Sequence, residues 1–398
     1  MPAKQQVLVT KHDFSADKYR LVELNADVEA AIKAGDKVFI VGTPSEKAVL
    51  CTSTKSFYLT KEDTSNLRLL TEHSKWEPRQ VGDDESAATV NTAERDEIVV
   101  RGSALSHYLL QPKTPDFMRL KALLMESPFE HTRSNKSSST PQKRAKLNKL
   151  YTTDDLVSAL QCSKQEVLDM LVQLYAFEDA GTWRLLSTSY QSTVFSDILD
   201  IIIQNDLDFL ASHGIPITKF QEEIDHPLVA IRQCCKIYGA VLTGENGEES
   251  CTFEPAKIAG FCAKQLFEEQ IAESQRVGGS INTNTSEGWV LDQFMDKWAL
   301  RVPEKVRVDA EMLRGVGLVK VQKGKPTRIV YFPEENLPLG AKQRFEKLFQ
   351  AQEKWTIQQL EPFIQSLVVP GTTQAALLLK HTRSSRQINS TERLYSKR

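Results

Sequence analysis

Residues 151–186 read YTTDDLVSALQCSKQEVLDMLVQLYAFEDAGTWRLL and predict helix, tight turn, helix and strand in that order. Thr152-Thr153-Asp154-Asp155 is typical of a helix N-terminus, because a threonine hydroxyl and early acids satisfy free backbone N–H groups. Ser163-Lys164-Gln165-Glu166 has the spacing of a capping box and begins the second helix. Trp183-Arg184-Leu185-Leu186 then favours a strand. Two helices across a tight turn, followed by a strand, are the layout of a winged helix.

The same order of elements recurs three more times towards the C-terminus. In residues 192–253 this order is present in a weaker form. It consists of one helix with an apolar face, a pair of helices and a closing strand, and Pro227 is at the first position of a helix of the pair. Residues 255–332 give a helix, a helix pair and a hairpin, and residues 342–395 give three helices and a final strand pair. We therefore predict winged-helix domains over 111–190, 255–338 and 339–398, and a helical or winged-helix-like unit over 191–254.

The first 110 residues are predicted to form a β domain. Turn-like segments such as Lys33-Ala34-Gly35-Asp36 separate short runs that favour strands, a spacing typical of a barrel or sandwich. The fold class is therefore multidomain α+β, with an N-terminal β-barrel or sandwich-like domain followed by tandem winged-helix domains. Short strands leave sheet edges that partner chains can extend, and a self-contained β domain is the alternative. The runs lie at 7–9, 19–24, 38–41, 48–51, 57–59, 67–70 and 98–100.

Composition and charge narrow the class of protein. Of 398 residues, 40% are hydrophobic and 26% are charged, which is typical of folded chains. The net charge of −2 argues against a dedicated DNA-wrapping protein, so any DNA contact must come from local patches. Met1 to Val9 lacks the apolar core of a secretory signal, and no run approaches the roughly 20 apolar residues of a membrane span. We expect a soluble intracellular protein.

Metal-binding and catalytic motifs are missing from the sequence. The six cysteines and seven histidines are scattered, without the spacing of zinc ligands. We expect buried free thiols in a reducing compartment, and no metal or cofactor. The sequence also lacks G-x-x-x-x-G-K-[ST], G-x-G-x-x-G, H-E-x-x-H and G-x-S-x-G, so we predict that the chain is not an enzyme. The cysteines are Cys51, Cys162, Cys234, Cys235, Cys251 and Cys262.

Positive charge is concentrated at the C-terminus. The last 19 residues carry six full positive charges against Glu392 alone, a net charge of +5. Because neutralised phosphates release counterions, these residues predict salt-dependent DNA binding. No cluster suited to base readout accompanies them, so binding should be independent of sequence; a frayed, solvated basic tail is the alternative. The candidate DNA-binding residues are Lys380, His381, Arg383, Arg386, Arg393, Lys397 and Arg398, with a smaller patch at Lys323, Lys325 and Arg328.

A serine- and lysine-rich segment interrupts the first predicted winged-helix domain. Its composition predicts that residues 131–149 form a disordered insert. Lys143, Arg144 and Lys146 within it are a candidate nuclear-import signal, and an ordinary basic loop is the alternative. The expected location is the nucleus.

Several segments match one family in a constant order. They are Ala48-Val49-Leu50-Cys51 with Asp63-Thr64-Ser65-Asn66, LKALLMESP from Leu120 to Pro128, YTTDDL from Tyr151 to Leu156, GTWRLL from Gly181 to Leu186, RFEKLF from Arg344 to Phe349 with Lys354-Trp355-Thr356, and Leu377 to Ser385. The ordered set, from near residue 20 to the C-terminus, resembles the Dcc family of sister chromatid cohesion proteins, accessory subunits of an alternative replication factor C clamp loader. No single segment is diagnostic.

The resemblance implies a non-catalytic nuclear subunit that bridges other chains and DNA. In that family the N-terminal β region shares a composite barrel with the small and large chromosome-transmission-fidelity subunits. The winged helices, usually three, contact the catalytic subunit of the leading-strand polymerase and single- and double-stranded DNA without sequence specificity. The complex acts on the sliding clamp at replication forks and supports cohesion. ATP hydrolysis belongs to other subunits, which agrees with the absence of a P-loop here.

Two other hypotheses stay open on the residues alone. The first is a winged-helix adaptor in another nuclear complex, which binds proteins and has no direct DNA contact. The second is an unrecognised enzyme, which would require a deep polar pocket with perturbed carboxylates or a bound metal.

Overall fold

The computed structural model describes residues 6–15, 18–71, 96–131, 149–276, 288–321, 324–338, 340–368, 373–386 and 393–398. The chain is a mixed α+β protein, as predicted. Its contacts group into two compact units. The first contains Met1–Pro115 together with Thr153–Asp169, and the second contains Asp116–Thr152 together with Met170–Arg398.

The first unit is built on a six-stranded sheet in the order β1-β6-β5-β4-β3, with β2 also paired to β6. β1 and β2 run parallel to β6, whereas β5 is antiparallel to it over most of its length. Among the described residues the sheet is open, so the predicted barrel or sandwich is not confirmed. The elements are β1 (Gln6–Ser15), β2 (Leu21–Val22), α1 (Ala26–Lys33), β3 (Phe39–Val41), β4 (Val49–Cys51), β5 (Ser56–Thr71) and β6 (Asp96–Pro112).

A buried polar cluster joins this sheet to the helix start predicted from Ser163. The capping box is confirmed: Ser163 Oγ accepts from Glu166 N at 3.2 Å, and Glu166 Oε2 accepts from Ser163 N at 3.0 Å. Ser56 of β5 donates from its hydroxyl to the same Glu166 oxygen at 2.5 Å. Lys113 Nζ donates to the carbonyls of Leu160 and Gln161, both at 2.5 Å. The cluster therefore ties residues 153–169 to the strands, although they are more than 40 residues from Pro112 in sequence.

A helix–short strand–helix–helix–strand–strand order recurs through the rest of the chain. In the first copy an isolated bridge between Tyr151 and Trp183 stands where the short strand stands elsewhere. The first copy contains α2 (Phe117–Leu124), α3 (Thr153–Leu160), α4 (Lys164–Gln173), β7 (Phe177–Asp179) and β8 (Thr182–Arg184). The second contains α5 (Thr188–Gln204), β9 (Ile215–Pro216), α6 (Ile217–Glu223), α7 (Leu228–Tyr238), β10 (Gly239–Thr243) and β11 (Glu249–Phe253).

The third copy contains α8 (Pro255–Arg276), β12 (Trp289–Val290), α9 (Leu291–Ala299), a 3-10 turn (Ala310–Leu313), β13 (Gly317–Lys320) and β14 (Arg328–Tyr331). The fourth contains α10 (Ala341–Ala351), β15 (Trp355–Thr356), α11 (Ile357–Ile364), α12 (Gln374–His381), β16 (Thr382–Arg386) and β17 (Arg393–Lys397).

The last three copies share one sheet topology. In each, the final strand lies in the centre and pairs antiparallel with both the short strand and the strand before it. The copy over residues 188–253, which the sequence gives in its weaker form, therefore shares its sheet topology with the two copies that follow it. The second helix of the pair predicted within residues 255–332, which the sequence places at Asp309–Leu313, is instead a 3-10 turn, Ala310–Leu313.

Among the described residues of the second unit, aromatic and aliphatic side chains form a larger and a smaller core. The larger core runs from Phe177 to Ile329 and includes a stacked pair of rings, Phe195 and Tyr238, whose centroids lie 3.5 Å apart. Trp298 is fully buried there and donates its indole N–H to the carbonyl of Ala259 at 2.9 Å. The smaller core lies mostly in the last copy and includes Leu318 of β13. Among the described residues no helix is long and apolar enough to cross a membrane.

Candidate nucleic-acid interface

The C-terminal basic residues lie on an antiparallel hairpin. β16 and β17 pair from Thr382 opposite Lys397 to Arg386 opposite Arg393. Arg383, Arg386, Arg393 and Lys397 are all exposed. The described residues from Gln374 to Arg398 include no acid, and Glu392 lies outside them, so the described part of the hairpin carries only basic and neutral side chains. The second strand covers the predicted Leu394-Tyr395, whereas the first lies at Thr382–Arg386 and the predicted Ile388 lies outside the described residues. Five residue pairs form the ladder.

The two faces of the hairpin are not equivalent. Residues directly opposite in a ladder share a face, and the face alternates along each strand. Tyr395 packs against the smaller core and Thr382 is buried, so the face that they share with Arg386 and Arg393 is turned to the core at its base. Arg386 and Arg393 extend that face beyond the core. Arg383 lies on the opposite face.

Two of the predicted residues have structural contacts. The ring of His381 stacks on Phe345, with centroids 5.0 Å apart, and burial followed by the charge of Lys380 lowers the pKa of His381. His381 is therefore neutral at neutral pH and adds no charge to the patch. Arg398 Nη1 donates to the carbonyls of Leu379 and Lys380, which end α12, at 3.0 and 3.4 Å. Cations at a helix C-terminus are favourable, so Arg398 also holds the hairpin base against α12.

The exposed face of α12 carries little that could read bases. Ala375, Ala376 and Leu379 are exposed, and Leu379 is 78% exposed. Lys380 is the charged residue of this face. Small and aliphatic side chains cannot make the bidentate hydrogen bonds that distinguish base pairs. This composition agrees with the expectation that any binding is independent of sequence.

The second predicted patch is smaller in the structure. Lys325 is exposed, but Arg328 is half-buried and donates from Nη1 to the carbonyl of Gly288 at 2.9 Å, which fixes the turn before β12. Lys320 lies directly opposite Arg328 in the β13–β14 ladder. Lys323 lies outside the described residues, as do the nuclear-import candidates Lys143, Arg144 and Lys146.

A second candidate surface is the outer edge of β5. β4 pairs with β5 only from Ser56 to Tyr58, and the amide of Leu59 donates to the carbonyl of Ala48. Among the described strands, none pairs with this edge from Thr60 to Thr71. Leu67 and Leu69 are 57% and 41% exposed, so the edge combines free backbone groups with apolar side chains.

The cysteine thiols are buried, and the carboxylates that line one described cavity are ion-paired. All six cysteines are free and buried, as predicted, and burial raises the pKa of Cys162 to about 12 and that of Cys262 to about 11. A cavity of about 540 Å³ in the second unit has two carboxylates in its lining. Both are ion-paired: Glu334 with Arg344 at 2.6 Å and Glu335 with Lys264 at 2.5 Å. No group of three or more potential metal ligands occurs among the residues with described positions.

Comparisons with a family model and with known proteins identify the same family. The family model described as sister chromatid cohesion protein Dcc1 matches residues 19–364. The chain is 30% identical to sister chromatid cohesion protein DCC1 of Xenopus laevis, over 94% of this chain and 88% of that protein. It is 28% identical to the Homo sapiens protein of the same name, over 94% and 87%. It is 23% identical to a probable sister chromatid cohesion protein DCC1 of Dictyostelium discoideum, over 95% and 94%.

Proposed function

Because this chain belongs to the family of sister chromatid cohesion protein Dcc1, its role lies in sister chromatid cohesion, and we propose that it acts as a non-catalytic subunit of a cohesion-linked clamp loader. In this proposal it bridges partner subunits, the replicative polymerase and DNA at replication forks, in the nucleus. It supplies binding surfaces while other subunits hydrolyse ATP and act on the sliding clamp. The observation that carries the DNA half is the exposed basic hairpin of β16 and β17.

The repeated element order supports tandem winged helices as the DNA-facing part. A winged helix has three helices and a small sheet whose last two strands form the wing, and the repeated topology agrees with that plan. In the last copy α11 and α12 take the places of the helix pair, and β16 and β17 take the place of the wing. Backbone phosphates are the expected ligands, because the exposed charges are on the wing and at the end of α12.

The edge of β5 supports a partner chain at the N-terminal sheet. An added strand would satisfy the backbone groups from Thr60 to Thr71 and cover the exposed leucines Leu67 and Leu69. We propose that the small and large chromosome-transmission-fidelity subunits provide this cover, through a composite sheet or barrel. The leading-strand polymerase would then bind a winged helix other than the last one, whose hairpin contacts DNA.

A salt series tests the DNA half directly. The full chain should bind a labelled duplex and a single strand of the same length, with little difference between unrelated sequences. The logarithm of the binding constant should fall linearly with the logarithm of salt concentration, with a slope of about −0.9 for each phosphate neutralised in the duplex. If wild-type protein binds neither probe at low salt, the adaptor alternative without DNA contact replaces this half.

Replacing Lys61 by proline tests the partner half. Leu59 directs its amide towards the β4 side, so the alternation of a strand directs the amide of Lys61 to the free edge as well. Lys61→Pro removes that donor while β6 keeps its pairing, and proline is tolerated on edge strands. On co-expression with the two partner subunits, we expect Lys61→Pro to reduce recovery of the complex and Lys61→Ala to leave it intact. Equal recovery of both would contradict pairing at this edge.

A further inference from the structure

We infer that Arg386 and Arg393 form a fork that holds one backbone phosphate between two guanidinium groups, an inference that rests on the proposed DNA contact. The two arginines are direct partners across the β16–β17 ladder and both are exposed. Direct partners share a face, with their β carbons about 5 Å apart, so both planar head groups reach the same phosphate. Each guanidinium can donate two parallel N–H groups to phosphate oxygens.

The pairing also has a cost when no ligand is bound. Like charges directly opposite in a ladder repel each other and destabilise it. No ion pair with an acid is described for either arginine, and the neighbouring Glu392 lies outside the described residues. A phosphate placed between the two groups converts this repulsion into two attractive contacts. Binding of a phosphodiester chain therefore stabilises the last ladder pair.

The alternation of faces separates this fork from general basic attraction. Arg383 is an exposed arginine of the same strand, three residues from Arg386, but it lies on the other face, opposite Ser396. A surface that attracts DNA through charge alone would use all three arginines alike. A fork uses the planar geometry of Arg386 and Arg393, which lysine cannot reproduce because its ammonium is a point charge.

Conservative arginine-to-lysine changes in the full chain provide the test. The single variants Arg386→Lys and Arg393→Lys, the double variant, and the matched control Arg383→Lys all keep the net charge. Binding of one labelled duplex is measured at fixed salt. We expect Arg386→Lys and Arg393→Lys each to weaken binding about tenfold, from the loss of charge-assisted hydrogen bonds. The double variant should be only slightly weaker than either single variant, because the two groups act on one phosphate, and Arg383→Lys should stay close to wild type.

The outcomes distinguish the fork from the function on which it rests. If wild-type protein binds the duplex and all three single variants bind equally well, the fork is wrong and the proposed DNA contact stands. If the loss of affinity in the double variant equals the full sum of the losses in Arg386→Lys and Arg393→Lys, the two arginines hold separate phosphates. The shared phosphate site would then be wrong. If wild type does not bind, the proposed DNA contact itself fails. Circular dichroism of each variant identifies any loss of fold.

Discussion

Changing Lys380, Arg383 and Arg386 together to glutamate is expected to weaken binding of duplex DNA by the full chain at least about 100-fold at physiological salt. All three side chains are exposed on α12 or β16, so the change alters the charge of the surface and leaves the smaller core in place. Each phosphate contact that is lost reduces the number of counterions released on binding, so the affinity depends less steeply on salt concentration. The three new acids also repel the phosphates. Titration of a labelled duplex over a salt series measures both effects.

A matched control separates local charge from net charge. Lys121, Lys236 and Lys297 are exposed lysines of the three earlier repeats, and their joint replacement by glutamate alters the net charge by the same amount. We expect this control to bind within about threefold of wild type at physiological salt, because exposed charges beyond a Debye length of about 8 Å are largely screened. Equal loss in both triple variants would mean that the hairpin has no special part in binding.

Replacing Arg344 by methionine is expected to destabilise the last repeat by about 3–5 kcal/mol. This is the usual cost of removing one partner of a buried ion pair, because the other partner is left without its counter-charge. Arg344 is 2% exposed and begins the RFEKLF segment of α10. Its Nη1 donates to Glu334 Oε1 at 2.6 Å, to Ser366 Oγ at 2.7 Å and to the carbonyl of Phe363 at 2.9 Å, and Nε donates to the carbonyl of Pro338 at 2.8 Å. Methionine fills similar space and leaves these acceptors without their donor.

Urea unfolding of the full chain, followed by tryptophan fluorescence, measures this change, because Trp355 lies in the smaller core. The control is Arg314→Met, which removes an exposed ion pair with Glu311 at 2.8 Å. Such surface pairs contribute only about 0–1 kcal/mol. A loss below about 1 kcal/mol for Arg344→Met would show that its network is replaced by water and does not hold the repeat together.

Local signals allowed much of this fold to be predicted. Ser163 forms the capping box that its spacing predicts, because a cap depends on residues three positions apart, and Thr356 forms another with Gln359. The strand connections of the first unit could not be predicted. β1 pairs with β6 across about 90 residues, and nothing in either strand specifies a partner so distant in sequence. The short strands β9, β12 and β15 are each only two residues long, too short for an alternation pattern, so the three-stranded sheets of these repeats could not be predicted.

The candidate site shows a similar division between local and distant information. The basic hairpin was predictable because its charge is continuous in sequence and its strands are close together. The contacts of Arg398 with the end of α12 and of His381 with Phe345 were not, since both depend on how the chain folds back on itself. Arg344 was also missed as a structural residue: its place in a helix with lysines and a glutamate suggests an exposed face, whereas tertiary contacts bury it. A buried arginine carries no signal in a single sequence.

Hydrogen–deuterium exchange of the full chain, with and without a saturating duplex, tests most directly that the hairpin is the DNA-binding surface. We expect added protection at the ladder amides of 382–386 and 393–397 and at the end of α12, with little change at α9, β13 or the edge of β5. Protection confined to the other repeats, or DNA binding that leaves the hairpin amides unchanged, would contradict this expectation.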